Sequence, residues 1–590
     1  MPAQPLTAVA LSPLARFSLA CVVLLCAAPF LQPYHRYPLT TFYTEWLAFA
    51  LGIGVMTILL DRRTWDRAEV PWAALAPFAL AFLLVVHGVL GWAPYFGQAL
   101  TAALYLIWAG ALIVAARALV QACGADTVFT VVAAGLAAGA VLSAMTGVIQ
   151  HFNLVTPINA FIARPTGPAI FGNLAQPNHF ATYTTLGLLS MSYLYNRGRM
   201  PLAVAAVCAM PLLFVLGLSG SRSVWLYLYA ACGIAAWFRA RSSHAVEGRR
   251  LLLVCGTLII VHYAMQLLVG AGWFKPADRA TVTAIERLFS GAASISDRLI
   301  LWQAAWTMAL EDPLLGAGWG AFPWRYFEYL SNADNVGEFG LYHNAHNLPL
   351  HLLAETGLIG MVLVAAPLVL WMRHAADGAH TADRWWLFAL LAVLGLHSLL
   401  EYPIWYAYFL GVAALLLGAA SANAFVPKLA RMGRMLAFAM VLIGAFNLVT
   451  LWLDYRDFER VFHARTKHLS SNAVSDIMSR LHRNPVLTPY IELFRALPLA
   501  VDEADLEQRL LLTERALSFA PLETLVYRQV LLLALAGRLP EAQTLLASAQ
   551  RVYPAAPPEF YRDLWRLVRV YPERFRPLLE FASHRAAGRS

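Results

Sequence analysis

The chain has 590 residues, of which 60% are hydrophobic and 13% are charged, and its mean hydropathy is +0.60. A soluble domain cannot bury that many apolar side chains, so soluble enzymes and secreted modules are excluded and a multi-pass membrane protein is predicted. The formal net charge of +9 comes from 43 Lys and Arg against 34 Asp and Glu. The six cysteines lack the spacing of a disulfide framework or a metal site, and we interpret them as packing residues.

About 13 apolar segments are long enough to cross ~30 Å of hydrocarbon as α-helices. The sequence therefore predicts an all-α polytopic membrane protein with about 13 transmembrane helices. The first segment resembles a signal-peptide core, but the segments that follow it favour an uncleaved first helix. The predicted segments are residues 15–33, 43–60, 71–93, 98–116, 127–150, 178–195, 200–218, 223–238, 251–271, 348–371, 385–400, 404–422 and 434–453.

Lys and Arg are concentrated in alternate connections between these segments, which is the pattern that fixes membrane orientation. The connections that lack them include residues 94–97 and 401–403. We therefore predict a cytoplasmic N-terminus, with the long connection 272–347 and everything after residue 453 on the outer side. The basic residues of the cytoplasmic connections are Arg62, Arg63, Arg67, Arg117, Arg197, Arg199, Arg239, Arg241, Arg249, Arg250, Arg373, Arg384, Lys428, Arg431 and Arg434.

Composition divides the chain into a membrane domain, residues 1–453, and a soluble helical domain, residues 454–590. The second domain has amphipathic patterning and no further span. Five of its residues have the spacing of one tetratricopeptide-like (TPR-like) helical hairpin: Gly537, Ala542, Leu546, Ala549 and Pro554. This pattern fits both a helical platform for another polypeptide and an ordinary small helical bundle.

Polar side chains that a membrane helix does not need are concentrated in four outward-facing places. The first is the connection 151–179, which contains Arg164 and the sequence GNLAQPNH at residues 172–179. A helix start needs only one capping amide, so capping alone does not explain this set of amides. Since capping explains one of Asn173, Gln176 and Asn178 but hardly all three, we expect this set to contact a ligand.

The second place is the sequence SGSRS at residues 219–223, between two spans that nearly touch. Hydroxyls, free backbone N–H groups and Arg222 at a helix start together suit an anion. The alternative interpretation is an interfacial arginine that reaches lipid headgroups.

The third place is the long connection, which carries Arg298 in the first turn of an expected amphipathic helix and three glycines at residues 312–320. These glycines lack the spacing of a phosphate loop, and we interpret them as a tight turn that lets the backbone approach the membrane surface. The sequence YHNAHN at residues 342–347 then leads into a span. His351 and Glu355 share one face of that span and can satisfy each other.

The fourth place is the sequence HSLLEYPIWY at residues 397–406, where two helices meet in a three-residue turn. Trp405 and Tyr406 are expected in an interfacial aromatic belt. Glu401 faces outward between two spans, and a lipid-anchoring role does not explain a carboxylate there.

No metal site and no cofactor are expected. His343 and His346 could be proposed as zinc ligands, but a third ligand and the H-E-x-x-H spacing are missing. The chain has no D-x-D sequence. Metal-assisted transfer of a lipid-linked sugar is therefore disfavoured.

Together these motifs resemble the bacterial O-antigen ligase superfamily, and most closely the PglL-type protein O-oligosaccharyltransferases. The resemblance covers residues 130–425, including the motifs at residues 172–179, 218–222, 312–320, 343–357 and 397–406. It implies a glycosyltransferase fold of the GT-C kind in the bacterial inner membrane, with the active site and the C-terminal domain in the periplasm. It also implies metal-independent transfer of a glycan from undecaprenyl diphosphate to an acceptor hydroxyl.

The resemblance assigns the family's loop histidine to His346, with His343 as the alternative, and its phosphate-binding arginines to Arg222 and Arg298. Two arginines at helix starts suit a diphosphate, and a nearby imidazole suits proton removal from a hydroxyl. Arg164 is a further candidate for the diphosphate. If neutral imidazole is required, activity is expected to rise with pH through ~6 to 7.

The resemblance also assigns the family's glutamine to Gln176 and its tyrosine to Tyr402 or Tyr406. Asn178 and Glu401 complete the predicted substrate-binding set. The expected partners are the lipid-linked oligosaccharide donor, membrane lipid and an acceptor protein such as a pilin.

Other functions remain open at this point. An O-antigen ligase acting on lipid A core, or a glycan polymerase, would differ in its acceptor, and the C-terminal helical domain favours a protein acceptor. A transporter of lipid-linked substrates would need polar residues near the midplane and an inverted repeat, which the sequence does not show. A purely structural assembly protein would not need outward arginines beside a histidine.

Overall fold

The computed structural model describes residues 11–66, 69–165, 167, 169–241, 245–274, 293–333, 340, 342–376, 381–421, 424–426, 430–463 and 469–587. These residues are mostly helical, so the all-α class is confirmed. Two short strands, β1 (Val70–Pro71) and β2 (Ala424–Phe425), pair antiparallel. Arg67, Lys428 and much of the predicted connection 272–347 lie outside the described residues.

Every apolar segment predicted in the first half of the chain contains a helix. A 3-10 turn, Thr57–Leu60, extends the second helix, and Trp72–Ala74 leads into the third. The helices are α1 (Pro13–Leu31), α2 (Phe42–Met56), α3 (Leu75–Val89), α4 (Phe96–Cys123), α5 (Ala125–His151), α6 (Pro177–Asn196), α7 (Leu202–Leu218), α8 (Ser223–Arg241) and α9 (Ala245–Gly270).

The described part of the long connection contains two helices, and the four later apolar segments are helical as predicted. These helices are α10 (Ala293–Glu311), α11 (Phe322–Asn332), α12 (Leu348–Ala376), α13 (Ala382–Ser398), α14 (Ala407–Ala419) and α15 (Ala430–Phe462). Because α10 begins at Ala293, Arg298 lies in its second turn, and the predicted first-turn position was wrong.

Eight helical segments among the described residues are long and apolar enough to cross a membrane, and α7 and α14 are shorter apolar helices. The remaining predicted spans coincide with α6, α8 and α13, so the count of about 13 spans stays a prediction. The eight are Pro13–Leu31, Phe42–Leu60, Trp72–Val89, Phe96–Cys123, Ala125–His151, Val246–Gly270, Leu348–Ala375 and Arg431–Phe462.

The C-terminal region is helical, as its amphipathic pattern predicts. Ala542, Leu546 and Ala549 are buried where α20 packs against α19, and Gly537 takes a positive φ of 78° between these helices. A helical hairpin therefore forms at the predicted place, while its TPR-like character stays a prediction. The helices are α16 (Ser471–Leu481), α17 (Thr488–Ala496), α18 (Leu506–Phe519), α19 (Glu523–Leu535), α20 (Leu539–Val552), α21 (Pro558–Val570) and α22 (Pro572–Ala587).

The chain forms two compact units. The first unit comprises residues 1–79, 105–292 and 364–462, and the second comprises residues 80–104, 293–363 and 463–590. Fully buried aromatic side chains fill each core: Tyr183, Tyr193, Trp385 and Trp386 in the first, and Phe322, Tyr326, Phe327 and Tyr527 in the second. The proposed functional division at residue 453 stays a prediction.

A buried carboxylate links the connection before α4 to the C-terminal helices of the second unit. Glu492 is 3% exposed and accepts a hydrogen bond of 2.6 Å from the Tyr95 hydroxyl. Arg515 and His482 lie 3.0 Å and 2.8 Å from its other oxygen. A buried charge is tolerated when it is paired in this way.

The glycine-rich turn of the second unit inserts into a break in α12. Gly357 has non-helical backbone angles, and the amides of Ala317 and Leu358 bond the carbonyls of Ala354 and Pro313 at 2.9 Å. A Cβ on Gly316 would lie 2.3 Å from the backbone of Glu355. The predicted tight turn is confirmed and its backbone approaches α12, while its approach to the membrane surface stays a prediction.

Candidate active site

The first and fourth polar places of the sequence meet at one buried carboxylate in the first unit. Gln176 caps α6 by accepting a hydrogen bond from the amide of His179, and Pro177 is the first residue of that helix. The Gln176 amide also donates to Glu401 at 3.2 Å, and the Asn178 amide donates to its other oxygen at 2.9 Å. Three predicted substrate ligands are therefore in direct contact.

The two candidate tyrosines follow Glu401 directly. The rings of Tyr402 and Tyr406 stack at a centroid distance of 5.9 Å, on either side of the 3-10 turn Pro403–Trp405. At the start of α14, the amide of Ala407 donates to the Glu45 carboxylate at 2.7 Å. Glu45 is buried within an apolar segment, and sequence reasoning missed its contact with this turn because 362 residues separate the partners.

The same cluster contains a group of side chains that could hold a metal ion. Ligand atoms of His179, His397 and Glu401 lie within 4.8 Å of one another, and all three residues are buried. The Nδ1 atom of His179 lies 3.3 Å from the Tyr408 hydroxyl, and that of His397 lies 2.9 Å from Thr182 Oγ1. Two imidazoles oriented by outer hydrogen bonds, with one carboxylate, resemble a zinc ligand set.

Sequence reasoning missed this group because it considered only the spacing of His343 and His346. His179 and His397 are distant in sequence, although each lies in a polar motif that the sequence singled out. The group is of a type that suits transition metals rather than Mg²⁺. The expectation that glycan transfer needs no metal stays a prediction.

The other polar residues of the first place have different environments. Asn173 is buried, and its side chain bonds the carbonyls of Leu31 and Phe161 and the amide of Ala163, so it holds the loop. Arg164 is exposed. Its assignment to the diphosphate stays a prediction.

Arg222 stands immediately before α8 and is half-buried. Gly220 has a positive φ of 60°, and the Ser221 amide donates to Ser219 Oγ at 3.3 Å, which forms the tight turn that the sequence predicts. A guanidinium beside a helix N-terminus brings two positive potentials together, an arrangement that suits an anion.

His346 has an unusual backbone in the second unit. Its φ is +48°, a region that costs a non-glycine residue free energy, and its amide donates to Asn344 Oδ1 at 3.1 Å. The Tyr342 ring lies edge-on to its imidazole at 5.2 Å, and α12 begins at Leu348. The loop therefore holds this side chain at the start of a helix, as its spacing predicts.

Burial, together with the nearby charges of Arg298 and His351, lowers the pKa of His346 to about 4. The imidazole is therefore neutral at physiological pH, the form in which it can accept a proton. His343 is exposed, although the surrounding atoms still lower its pKa by desolvation. The two histidines thus differ in backbone conformation and in exposure.

His351 and Glu355 satisfy each other, as their spacing predicts. His351 Nε2 lies 3.3 Å from a Glu355 oxygen, and both side chains are buried. The other Glu355 oxygen accepts a hydrogen bond of 3.0 Å from the amide of Phe322 at the start of α11. This pair fixes the first turns of α12.

The predicted site residues therefore form two sets. Gln176, Asn178, Arg222, Glu401, Tyr402 and Tyr406 belong to the first unit with Arg164, and Arg298, His343 and His346 belong to the second. That the two sets act on one substrate is a proposal.

Three family profiles match consecutive parts of the chain. The Protein glycosylation ligase profile matches residues 170–195, and the O-Antigen ligase profile matches residues 205–365. The profile described as Virulence factor membrane-bound polymerase, C-terminal, matches residues 385–567. These matches include every predicted site residue except Arg164.

Characterised proteins also resemble the chain. A General O-oligosaccharyltransferase of Acinetobacter baylyi is 24% identical over 445 residues, covering 74% of this chain and 75% of that protein. A ComP-specific O-oligosaccharyltransferase of the same organism is 27% identical over 267 residues, covering 45% and 44%. The Exopolysaccharide production protein ExoQ of Rhizobium meliloti is 24% identical over 250 residues, covering 41% of this chain and 55% of that protein.

The fold, the site and these similarities define an enzyme of the glycosyltransferase class in a multi-pass membrane protein. The resemblance predicted from the motifs is confirmed: the chain resembles the O-antigen ligase superfamily and is most like its PglL-type O-oligosaccharyltransferases.

Proposed function

We propose that this chain transfers a glycan from an undecaprenyl diphosphate carrier to a Ser or Thr hydroxyl of a periplasmic or pilin-like protein, without a metal. The observation that carries the proposal is His346, a neutral imidazole held in a left-handed backbone conformation near Arg298. Strained backbone and lowered basicity are both typical of functional sites. In this proposal the enzyme lies in the bacterial inner membrane with its active site facing the periplasm.

The proposed reaction is one displacement at the anomeric carbon. His346 accepts the proton of the acceptor hydroxyl while the hydroxyl oxygen forms the new bond to the anomeric carbon. The bond from the anomeric carbon to the diphosphate breaks, and its electron pair leaves with the diphosphate. Arg298 and Arg222 stabilise the negative charge that develops there, which we expect to be the larger contribution.

The cluster around Glu401 is proposed to bind the glycan. Carboxylate, amide and phenol groups match the donors and acceptors of sugar hydroxyls. Gln176 and Asn178 orient the carboxylate by bonding one oxygen each. Tyr402 and Tyr406 provide a stacked aromatic pair beside it, suited to the apolar face of a sugar ring.

A protein acceptor is supported by the C-terminal helices of the second unit. On α21 the side chains of Tyr561 and Trp565 are 39% and 54% exposed and lie one turn apart. Exposed aromatic side chains are enriched in protein interfaces. The names of two similar proteins also specify oligosaccharide transfer.

The profile matches favour a second candidate. The O-Antigen ligase and membrane-bound polymerase profiles together cover much of the chain, so the acceptor in this alternative is lipid A core or a growing glycan. The residues that bind the lipid-linked glycan donor would keep the same roles.

The test is transfer with purified enzyme and an undecaprenyl diphosphate-linked oligosaccharide. A pilin with an accessible Ser or Thr and a lipid A core preparation are offered in parallel. A glycan-sized mass increase on the pilin alone supports the proposal, and transfer to lipid A core alone overturns it.

The same assay after exhaustive EDTA treatment tests whether transfer requires a metal ion. Unchanged turnover is expected because the proposed chemistry needs only imidazole and guanidinium groups. Loss of turnover that Zn²⁺ restores would assign a catalytic role to His179, His397 and Glu401.

A further inference from the structure

Three polar side chains at the contact of α8 and α9 have no hydrogen-bond partner among the described residues. They are Ser221, through its hydroxyl, Trp225, through its indole nitrogen, and His262, through both ring nitrogens. Ser221 is 3% exposed and His262 is fully buried. A polar group that is removed from water without a hydrogen-bond partner is costly, so such groups often mark a ligand site.

Ser221 and Trp225 lie on either side of Arg222 in the chain, at the start of α8. Ser221 lies in the turn before α8, which begins at Ser223, and Trp225 lies in the first turn of that helix. The ring of His262 packs against the ring of Trp225 with a centroid distance of 4.7 Å. His262 belongs to α9, a candidate membrane span that ends eight residues later at Gly270.

The chemistry of the three groups specifies what they can bind. The indole nitrogen can only donate, and the hydroxyl and the imidazole can each donate as well. A matching ligand therefore presents several acceptor oxygens close together. The positive charge of Arg222 and the N-terminus of α8 add a preference for an anion. A diphosphate has both properties. A sugar hydroxyl is neutral, so the positive charge of Arg222 would not favour it in the same way.

We infer that Ser221, Trp225 and His262 donate hydrogen bonds to the diphosphate of the lipid carrier and extend the binding site of Arg222 into the membrane. This inference rests on the proposed function, because it takes the donor to be a diphosphate lipid. The three side chains pair with the ligand rather than with the protein, which accounts for their unmet hydrogen-bonding capacity.

The experiment measures binding of undecaprenyl diphosphate, with and without an attached oligosaccharide, to the full-length protein in nanodiscs. Trp225→Phe and His262→Leu each remove one donor and keep an apolar side chain of similar size. Each variant should bind both lipids about 10- to 100-fold more weakly, since hydrogen bonds to charged groups are strong. Neither should lower the melting temperature by as much as the loss of an internal hydrogen bond would, because the protein loses no such bond.

The matched control is Trp386→Phe, whose indole nitrogen donates to Ser190 Oγ at 3.1 Å. This variant should bind both lipids normally and melt at a lower temperature. Ser221→Ala, the smallest change, decides the test if a larger substitution prevents folding. It too should weaken binding of both lipids.

The outcomes separate the two proposals. If the wild-type protein binds the diphosphate lipids and the variants bind them equally well, the inference is overturned and the proposed function stands. If only the glycosylated lipid binds more weakly, the cluster contacts the sugar and the inference is wrong. A wild-type protein that binds neither lipid contradicts both proposals.

Discussion

At the scale of single residues, His346 differs from His343 in ways that matter for catalysis. The left-handed backbone of His346 is stabilised by the Asn344 side chain, and Ala345 between them is fully buried. The loop therefore fixes the His346 imidazole, which is what a general base needs to reach a hydroxyl. His343 is exposed and has no comparable backbone constraint.

The first prediction is that His346→Ala removes transfer and keeps donor binding. Loss of a general base costs ~100- to 10,000-fold in rate, and the diphosphate ligands remain. Turnover is measured by mass spectrometry, and donor binding is measured separately. His343→Ala is the control and should reduce turnover only slightly. A His346→Ala enzyme with more than about a tenth of wild-type turnover contradicts the role, because that loss is too small for a general base.

The second prediction concerns pH. The sequence alone predicts a rise in activity through ~6 to 7, the ordinary range of histidine. Because the pKa of His346 is lowered to about 4, the neutral form already dominates above that pH. Activity of the purified enzyme should therefore be level through neutral pH and fall as pH drops through about 4. An inflection at ~6 to 7 in the turnover of the wild-type enzyme would contradict the lowered pKa.

The third prediction is that Arg222→Ala and Arg298→Ala each abolish transfer, at a cost of ~2 to 4 kcal/mol of transition-state stabilisation. Lysine at either position should rescue only partly, because it lacks the planar fork of donors. Arg241→Ala is the control, since Arg241 lies at the other end of α8 with its guanidinium over Trp237. Full activity of both alanine variants would contradict the diphosphate role.

At the scale of elements, periodicity and length predicted most of the fold. Each apolar segment contains a helix because membrane-spanning backbone must satisfy its own hydrogen bonds. The break in α12 was not predictable, since Gly357 sits in an otherwise apolar helical pattern. The amide and carbonyl partners that make the break tolerable come from residues 313–318, outside the helix.

Sequence proximity explains which site contacts could be predicted. The pairing of His351 with Glu355 follows from helical spacing, and a capping amide beside Pro177 was predicted, although the structure was needed to identify it as Gln176. The contact of Gln176 with Glu401 spans 225 residues, so only the fold brings it about. The motifs identified the candidate site residues, and the packing of the helices determines which of them are in contact.

The fourth prediction tests the junction at the break. In Gly357→Ala the new Cβ would lie 2.4 Å from the Leu314 carbonyl, and a φ of 62° would be strained, so we expect a loss of ~1 to 3 kcal/mol. The measurement is the apparent melting temperature in detergent. Gly256→Ala is the control, because a Cβ there meets nothing within 4 Å. Equal melting temperatures for wild type and Gly357→Ala would contradict the packing of this turn.

At the scale of the whole molecule, the proposed function requires both sets of site residues and the C-terminal helices on one side of the membrane. The basic connections predict this arrangement independently of the site, because orientation follows the distribution of Lys and Arg. Arg239, Arg241, Arg249 and Arg250 are the largest such group and lie at facing ends of α8 and α9. Orientation is therefore the property on which the proposed acceptor depends most.

The fifth prediction is that alkaline phosphatase fused after residue 300 or after residue 460 is active, and fused after residue 245 is inactive. Alkaline phosphatase folds only where disulfides form, so its activity shows that the fusion point lies on the outer side of the membrane. Immunoblots of the three fusions control for expression. An inactive fusion at 460 beside an active fusion at 300 would place the C-terminal helices in the cytoplasm. Tyr561 and Trp565 could then not meet a periplasmic acceptor, while the assignments of His346 and the arginines would be unaffected.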